Sequence, residues 1–156
     1  TGLCGPLIKP WARHLVGVDL SAGMIDKARS RAVYDVLEVA ELTAYLQANC
    51  QAFDVVLSAD TLVYFGALND VFDAAFESLR PGGWLGFSLE ALQNDGDEVR
   101  LNSSGRYAHS RLHVSLGLEQ AGFQDWQITP EVLRKEAGNP VHGWVVTASR
   151  GAQKTL

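Results

Sequence analysis

The chain has little of what marks several protein classes. It holds two cysteines, Cys4 and Cys50, in 156 residues. Two thiols without metal-ligand spacing support neither a disulfide scaffold nor a zinc site. A reducing cytoplasm is the expected home. Basic residues are outnumbered, 13 Lys and Arg against 18 Asp and Glu, for a formal net charge of -5. No block of Lys and Arg stands out. Bulk binding to DNA or RNA needs a basic face, so it is not the expected role. No apolar run approaches the roughly 18 residues that cross a bilayer. No signal peptide is visible, but the first residue is Thr1 and not Met, so this absence excludes little. Internal repeats and low-complexity segments are absent as well.

What remains is an ordinary globular composition. Hydrophobic residues make up 47%, enough for a packed core, and the length fits one domain over 1–156. Apolar runs alternate with helical stretches, the pattern of an α/β fold. The spacing predicts a short helix over 3–9, a strand over 14–20 and a helix over 22–32 behind an N-cap at Ser21. A strand over 34–39 and a helix over 42–48 follow. Residues 53–59 (FDVVLSA) are the strongest strand signal. Leu68, Val71, Phe72, Ala75, Phe76 and Leu79 then lie along one helix face. Arg80-Pro81-Gly82-Gly83 predicts a turn, and 84–90 another strand. Residues 93–108 read as a long polar loop, a length that is often functional. Ser110 and Gly122 bracket a predicted helix over 111–121. Strands near 125–133 and 142–149 close the chain, with Gly138-Asn139-Pro140 as their hairpin connection.

Several residues suggest chemistry. Gly2 and Gly5 form a glycine-containing turn ahead of a helix, where backbone can approach a ligand closely. Asp19 ends the next predicted strand, and a carboxylate there can accept hydrogen bonds from both hydroxyls of a ribose. Glu41 sits one strand further on, within reach of an adenine amino group. Each has a plainer reading: a turn glycine, an acid before a helix, an acid favoured by a helix dipole. Met24 is equally a core filler, and Asp60 equally a helix cap. Tyr64 follows a strand on the edge where open α/β sheets bind ligands. The segment 105–110 brings together Arg106, Tyr107 and His109, which could position a substrate or take a proton. It could also be loop packing with an N-cap at Ser110. His113 and His142 read as structural or surface residues.

Taken in order, Thr1-Gly2, GVDLSAGMIDKAR (17–29), FDVVLSADTLVY (53–64), LRPGGWLGFS (79–88) and GNPVHGWVVTASR (138–150) resemble the class I S-adenosylmethionine-dependent methyltransferases. The likeness covers nearly the whole chain. It is greatest to a bacterial group often fused behind tetratricopeptide repeats, which would make such a domain upstream an expected partner. The resemblance implies a Rossmann-like sheet of seven strands, six parallel and one antiparallel, ending in an antiparallel hairpin. The chain accounts for strands two to seven; strand one and the leading Gly-x-Gly would precede Thr1. It also implies S-adenosylmethionine as cofactor and no metal. By the family pattern, Gly2 belongs to the cofactor loop and Asp19 binds the ribose. Leu20 and Met24 line the adenine site, and Glu41 and Leu42 read the adenine. Ala59 and Asp60 approach the methionine amino group. For the acceptor, expected to be a small molecule, the candidates are Tyr64, Tyr107 and His109, with His109 as base.

Two competitors follow from the same residues. A nicotinamide-dependent dehydrogenase would share the glycine turn and ribose acid, but its sheet would continue in parallel where this chain predicts a hairpin. A methyltransferase-fold relic, serving as a binding module without catalysis, would keep the fold and lose the cofactor loop.

Overall fold

A computed structural model describes residues 1–93 and 97–152. The chain divides into two compact units, Thr1–Ala48 and Asn49–Leu156.

The first unit is a two-stranded parallel sheet with three short helices. Helix α1 (Gly5–Ile8) runs into a 3-10 turn over Lys9–Trp11. The predicted helix over 3–9 is therefore split, and Pro10, which has no N–H, sits in the tighter turn. Strand β1 (Val16–Asp19) leads to α2 (Ala22–Arg29), and β2 (Val36–Val39) leads to α3 (Leu42–Gln47). Val16 pairs with Val36 and Asp19 with Val39. Ser21 caps α2 as expected, its hydroxyl accepting from the Met24 amide at 3.4 Å. Ile25 and Ala28 are buried, but the helix stops three residues short of its predicted end, because Ala32 adopts a left-handed backbone (φ 53°). Asp35 ties the start of the unit to β2. Its carboxylate accepts from Lys9 Nζ and from the Leu15 amide, both at 2.7 Å.

The second unit is built on β4 (Leu79–Ala91), which pairs with three other strands. Strand β3 (Phe53–Ser58) runs parallel to it, Val55 opposite Trp84 and Ser58 opposite Phe87. Between them the chain makes a 3-10 turn over Leu62–Tyr64 and helix α4 (Asn69–Ser78). The predicted turn at 80–83 is a bulge inside β4: Phe53 pairs with Leu79, and the next pair is already Val55 with Trp84. The predicted loop over 93–108 holds two three-residue strands, β5 (Val99–Leu101) and β6 (Tyr107–His109), paired antiparallel. Residues 94–96 of that stretch lie outside the described residues. Strand β6 pairs in parallel with the end of β4, Glu90 opposite Ala108.

Helix α5 (Arg111–Ala121) matches its predicted bounds. Ser110 Oγ accepts from the His113 amide at 3.1 Å, and Gly122 ends the helix left-handed (φ 95°). Strands β7 (Gln124–Glu136) and β8 (Asn139–Ser149) form the closing hairpin. Its turn is Ala137-Gly138, both left-handed. Asn139 and Pro140, expected in the turn, already pair with Glu136 and Lys135. Strand β8 is antiparallel to both β4 and β7, giving the order β5-β6-β4-β8-β7. Strands β3, β4, β6 and β7 run the same way, while β8, inserted between β4 and β7, and the short edge strand β5 run against them; this mostly parallel architecture is that of a Rossmann-like methyltransferase sheet.

The core of this unit lies where α4 and α5 cover the sheet. Phe72, Leu79, Leu89, Val114, Leu118 and Val146 are fully buried, each worth about 1.5–3 kcal/mol relative to exposure. Phe72 packs on Phe87 and Phe76 on Phe123, both at 5.3 Å between ring centroids. Arg150 seals the end of α4, donating from Nη1 to the carbonyls of Phe76 (2.6 Å) and Leu79 (2.5 Å). That gives the helix's orphan carbonyls a charged partner. Among the described strands β3 pairs with β4 alone, and its Val55 and Leu57 stay half exposed.

One glycine fixes the hairpin's fit on β4. A Cβ on Gly143 would collide with the Leu133 side chain and the Leu89 carbonyl. Gly143→Ala should destabilise the chain by about 1–3 kcal/mol through overpacking, seen as a lower urea midpoint at unchanged m-value. A midpoint equal to that of the wild type would show that the contact is slack.

Candidate functional site

The first unit gathers the predicted nucleoside residues at the ends of β1 and β2. Asp19 is the last residue of β1. Its Oδ1 accepts from the Ser21 amide at 2.9 Å, which orients the carboxylate, and no described residue bonds its second oxygen. Leu20 beside it is 72% exposed, an apolar side chain with no core to join. Met24 is half-buried in the first turn of α2. Gly2 has a left-handed backbone (φ 66°) and lies against α2, where a Cβ would come within 2.8 Å of Ala28 Cβ. Glu41 behaves differently from Asp19. Both of its oxygens cap α3, accepting from the amides of Thr43 (2.9 Å) and Ala44 (2.8 Å). Burial works against the charged form, but these backbone hydrogen bonds prevail and hold its pKa below the usual carboxylate value. Leu42, the first residue of α3, is half-buried.

The second unit brings together residues from five segments. Ala59 and Asp60 follow β3. Asp60 has a left-handed backbone (φ 56°), unusual for a non-glycine residue, and its amide donates to Ser88 Oγ at 3.0 Å. Its Oδ1 accepts from Arg134 Nη1 at 2.8 Å. The same guanidinium donates through Nη2 to Glu90 and through Nε to Glu136 Oε1 at 2.8 Å. Glu136 also accepts from Arg106 Nη1 at 2.6 Å, and Asn102 Nδ2 donates to Glu90 Oε2 at 2.9 Å. Arg134, helped by Arg106, keeps Glu136 below the ordinary carboxylate range. Arg106 also lies 5.9 Å from the centre of the Tyr64 ring, a cation–π distance. Tyr64 itself is 59% exposed.

Sequence reasoning missed Glu90, Arg134 and Glu136. Glu90 carried a signal, as the acid at the C-terminal end of an apolar strand, the same pattern that singled out Asp19. Arg134 carried none, because its direction depends on a break in strand register.

Tyr107 and His109 both lie on β6. His109 is fully buried. Its Nε2 lies 3.0 Å from the Phe65 carbonyl, and its Nδ1 has no partner. The ring stacks on His113, 5.5 Å between centroids, and Tyr107 is 6.5 Å away. Burial first, and then the neighbouring His113, push its pKa down to about 4 from 6.5. His109 is thus a neutral imidazole inside the wall, not a group facing solvent. His113 reads as structural, its Nδ1 3.6 Å from Glu98, and His142 is exposed. Among the described residues, no group of three or more His, Cys, Asp and Glu could hold a metal ion. No helix is long and apolar enough to cross a membrane.

The chain matches the family described as "Methyltransferase domain" over residues 2–87 and belongs to that family. No curated protein matches it. Its fold is similar to that of an S-adenosylmethionine-dependent methyltransferase from Methanosarcina mazei. The TM-score is 0.70 at 15% identity, covering 96% of this chain and 90% of that one. A second likeness is to a "possible exported protein" of Bordetella parapertussis, with TM-score 0.69 and 17% identity. There 96% of this chain is covered but only 60% of the other. A third is to a Haemonchus contortus phosphoethanolamine N-methyltransferase, in complex with phosphomonomethylethanolamine and S-adenosylhomocysteine. Its TM-score is 0.68 at 17% identity, over 88% of this chain and 43% of that one. Family and fold support S-adenosylmethionine as the cofactor. In the first unit Asp19 offers an oriented carboxylate whose second oxygen no described residue bonds, and Leu20 an exposed apolar side chain beside it.

The buried imidazole sets a pH dependence. Because its folded pKa lies below the unfolded value, the unfolded chain binds the proton more readily. Stability is full above about pH 6.5 and falls as the pH drops toward 4. The loss is about 3 kcal/mol, because each tenfold difference in proton affinity between the folded and unfolded chain is worth roughly 1.4 kcal/mol. Urea midpoints between pH 7 and pH 4.5 should fall more steeply in the wild type than in His109→Gln. Equal slopes would assign the acid sensitivity to the carboxylates.

Proposed function

We propose that this chain transfers the methyl group of S-adenosylmethionine to a small-molecule acceptor. The observation that supports this most is the state of Asp19: a carboxylate at the end of β1, oriented by the Ser21 amide and keeping an oxygen free. It lies within the segment that matches the methyltransferase family. In this reading Asp19 holds the ribose hydroxyls, Leu20 and Met24 the adenine face, and the Leu42 amide the adenine edge. Glu41 shares an oxygen that already caps α3. Gly2 keeps side-chain atoms out of the cofactor turn, and Ala59 and Asp60 take the methionine amino group.

The cofactor, when bound, supplies a methyl carbon already activated by its positive sulfur. The chain's own task is alignment and exclusion of water. Tyr64, exposed and backed by Arg106, meets the acceptor, with Tyr107 on β6 beside that wall. For an acceptor that must lose a proton, His109 is the group proposed to receive it, which requires acceptor binding to uncover its buried ring. Burial keeps it neutral at pH 7, with Nδ1 unpartnered.

Calorimetric titration with S-adenosylhomocysteine, with NADH as control, tests the reading. Binding of S-adenosylhomocysteine alone is expected, weakened by Asp19→Ala on the order of tenfold or more, as for a lost hydrogen bond to a charged group. Binding of NADH instead, or of neither, would sink the methyltransferase assignment. Once an acceptor is found, His109→Ala should lower turnover by roughly 10²–10⁴ with little change in cofactor affinity. An unchanged rate removes His109 from the mechanism.

A further inference from the structure

Two departures from regular backbone converge on one side chain. The first lies in β7. Val132 pairs with His142, but Arg134 pairs with Val141, with a register shift between them. Along a regular strand, positions 132 and 134 would share a face. Their partners His142 and Val141 are adjacent in β8 and therefore lie on opposite faces. The extra residue, Leu133, thus sends Arg134 to the face of Val141 and Gly143. Glu90 pairs with Gly143 across the β4–β8 ladder, so the bulge delivers Arg134 to the face on which Glu90 lies. Re-aiming a side chain next to a functional site is a known use of bulges.

The second departure is the left-handed backbone at Asp60. It costs on the order of 1–3 kcal/mol and persists only where the surroundings over-determine it. Here two groups do so. Ser88 Oγ holds the Asp60 amide, and Arg134 Nη1 holds its carboxylate at 2.8 Å. Both holders act from the direction of β4: Ser88 is part of that strand, and Arg134 is anchored on Glu90.

We infer that Arg134 is a positioning residue for methyl transfer. Anchored on the buried Glu90, it fixes the Asp60 carboxylate where the cofactor's amino group is to be held. This rests on the proposed cofactor reading. The fork geometry matters: three donors of one guanidinium engage Asp60, Glu90 and Glu136 at once. A lysine ammonium is a point charge and cannot reproduce that arrangement. Asp60 Oδ1 is committed to Arg134, and no described residue bonds its other oxygen, which leaves it to accept from the cofactor's ammonium in this reading.

Removing Arg134 alone would strand the Glu90 carboxylate, which is 7% exposed, and could unfold the chain. The test therefore uses the neutralised pair Glu90→Gln/Arg134→Gln, together with Asp60→Asn, the three changes combined, and Arg134→Lys. Each is titrated with S-adenosylhomocysteine, and its thermal midpoint is measured. The neutralised pair should melt near the wild type yet bind about tenfold more weakly, on the order of one charge-assisted hydrogen bond. Asp60→Asn should lose a similar factor, and the triple variant no more than either. Arg134→Lys should regain only part of the affinity. A neutralised pair that binds like the wild type, or losses that multiply in the triple variant, would overturn the positioning role and leave the cofactor reading intact. A wild type that binds no S-adenosylhomocysteine would overturn the cofactor reading, and this inference with it.

Discussion

A carboxylate buried at the end of β4 constrains much of the second unit. Glu90 is 7% exposed, and a charge at that depth is expensive unless it is paired and hydrogen-bonded. Strand β4 cannot supply the cation, because its own side chains alternate between the α4–α5 core and the opposite face. Asn102 satisfies one oxygen. The other needs a positive charge, and the hairpin brings it. Strand β8 lies between β4 and β7, so a residue on β7 must reach over β8 to meet β4. Arg is long enough to do so from its place opposite Val141.

The two acids at the ends of β1 and β2 show how the same sequence pattern gives different chemistry. Both precede a helix. Asp19 is separated from α2 by Leu20 and Ser21, and Ser21 does the capping. The carboxylate spends one oxygen on holding its own turn. Glu41 stands directly at the cap of α3, and its two oxygens satisfy two of the orphan amides there. A carboxylate with a spare acceptor can take a hydroxyl without losing anything. One that already caps a helix gives up part of a bond to do so. The difference comes from who occupies the cap, a position that a single-residue shift changes.

Most elements were legible because their signals are local. The apolar face of α4 comes from a 3.6-residue period, and Ser110 and Gly122 mark the ends of α5 by their side-chain and backbone chemistry. The strands β5 and β6 were not legible. Three residues are too few to show an alternation, and Tyr107, Ala108 and His109 become a strand by pairing with the end of β4 on one side and with β5 on the other. The 80–83 segment departs from its expected turn for a related reason. Pro and Gly do interrupt the ladder there, but Leu79 still pairs with Phe53, so the interruption is a bulge and not an end. Ala32 lies beyond its helix because local spacing does not reveal a left-handed backbone. The candidate site divides along the same line. Asp19 and Asp60 follow from strand ends. Arg134 depends on a register shift that only the pairing partner reveals, since its own position in the alternation points it the other way.

Family likeness and tertiary detail also divide along the chain. Every residue proposed to touch the cofactor, from Gly2 to Asp60, lies within the matched stretch of residues 2–87. Of the residues proposed to meet the acceptor only Tyr64 does. Tyr107 and His109, and the cluster of Glu90, Arg106, Arg134 and Glu136, all come later, from the end of β4, the β5–β6 pair and the closing hairpin. Three carboxylates and two guanidiniums meet in the second unit, Asp60 after β3, Glu90 on β4, Arg106 ahead of β6, and Arg134 and Glu136 on β7. Their charges largely cancel within the cluster, so under the proposed reading the acceptor contact rests on Tyr64, the exposed aromatic ring that Arg106 supports, more than on a net charge.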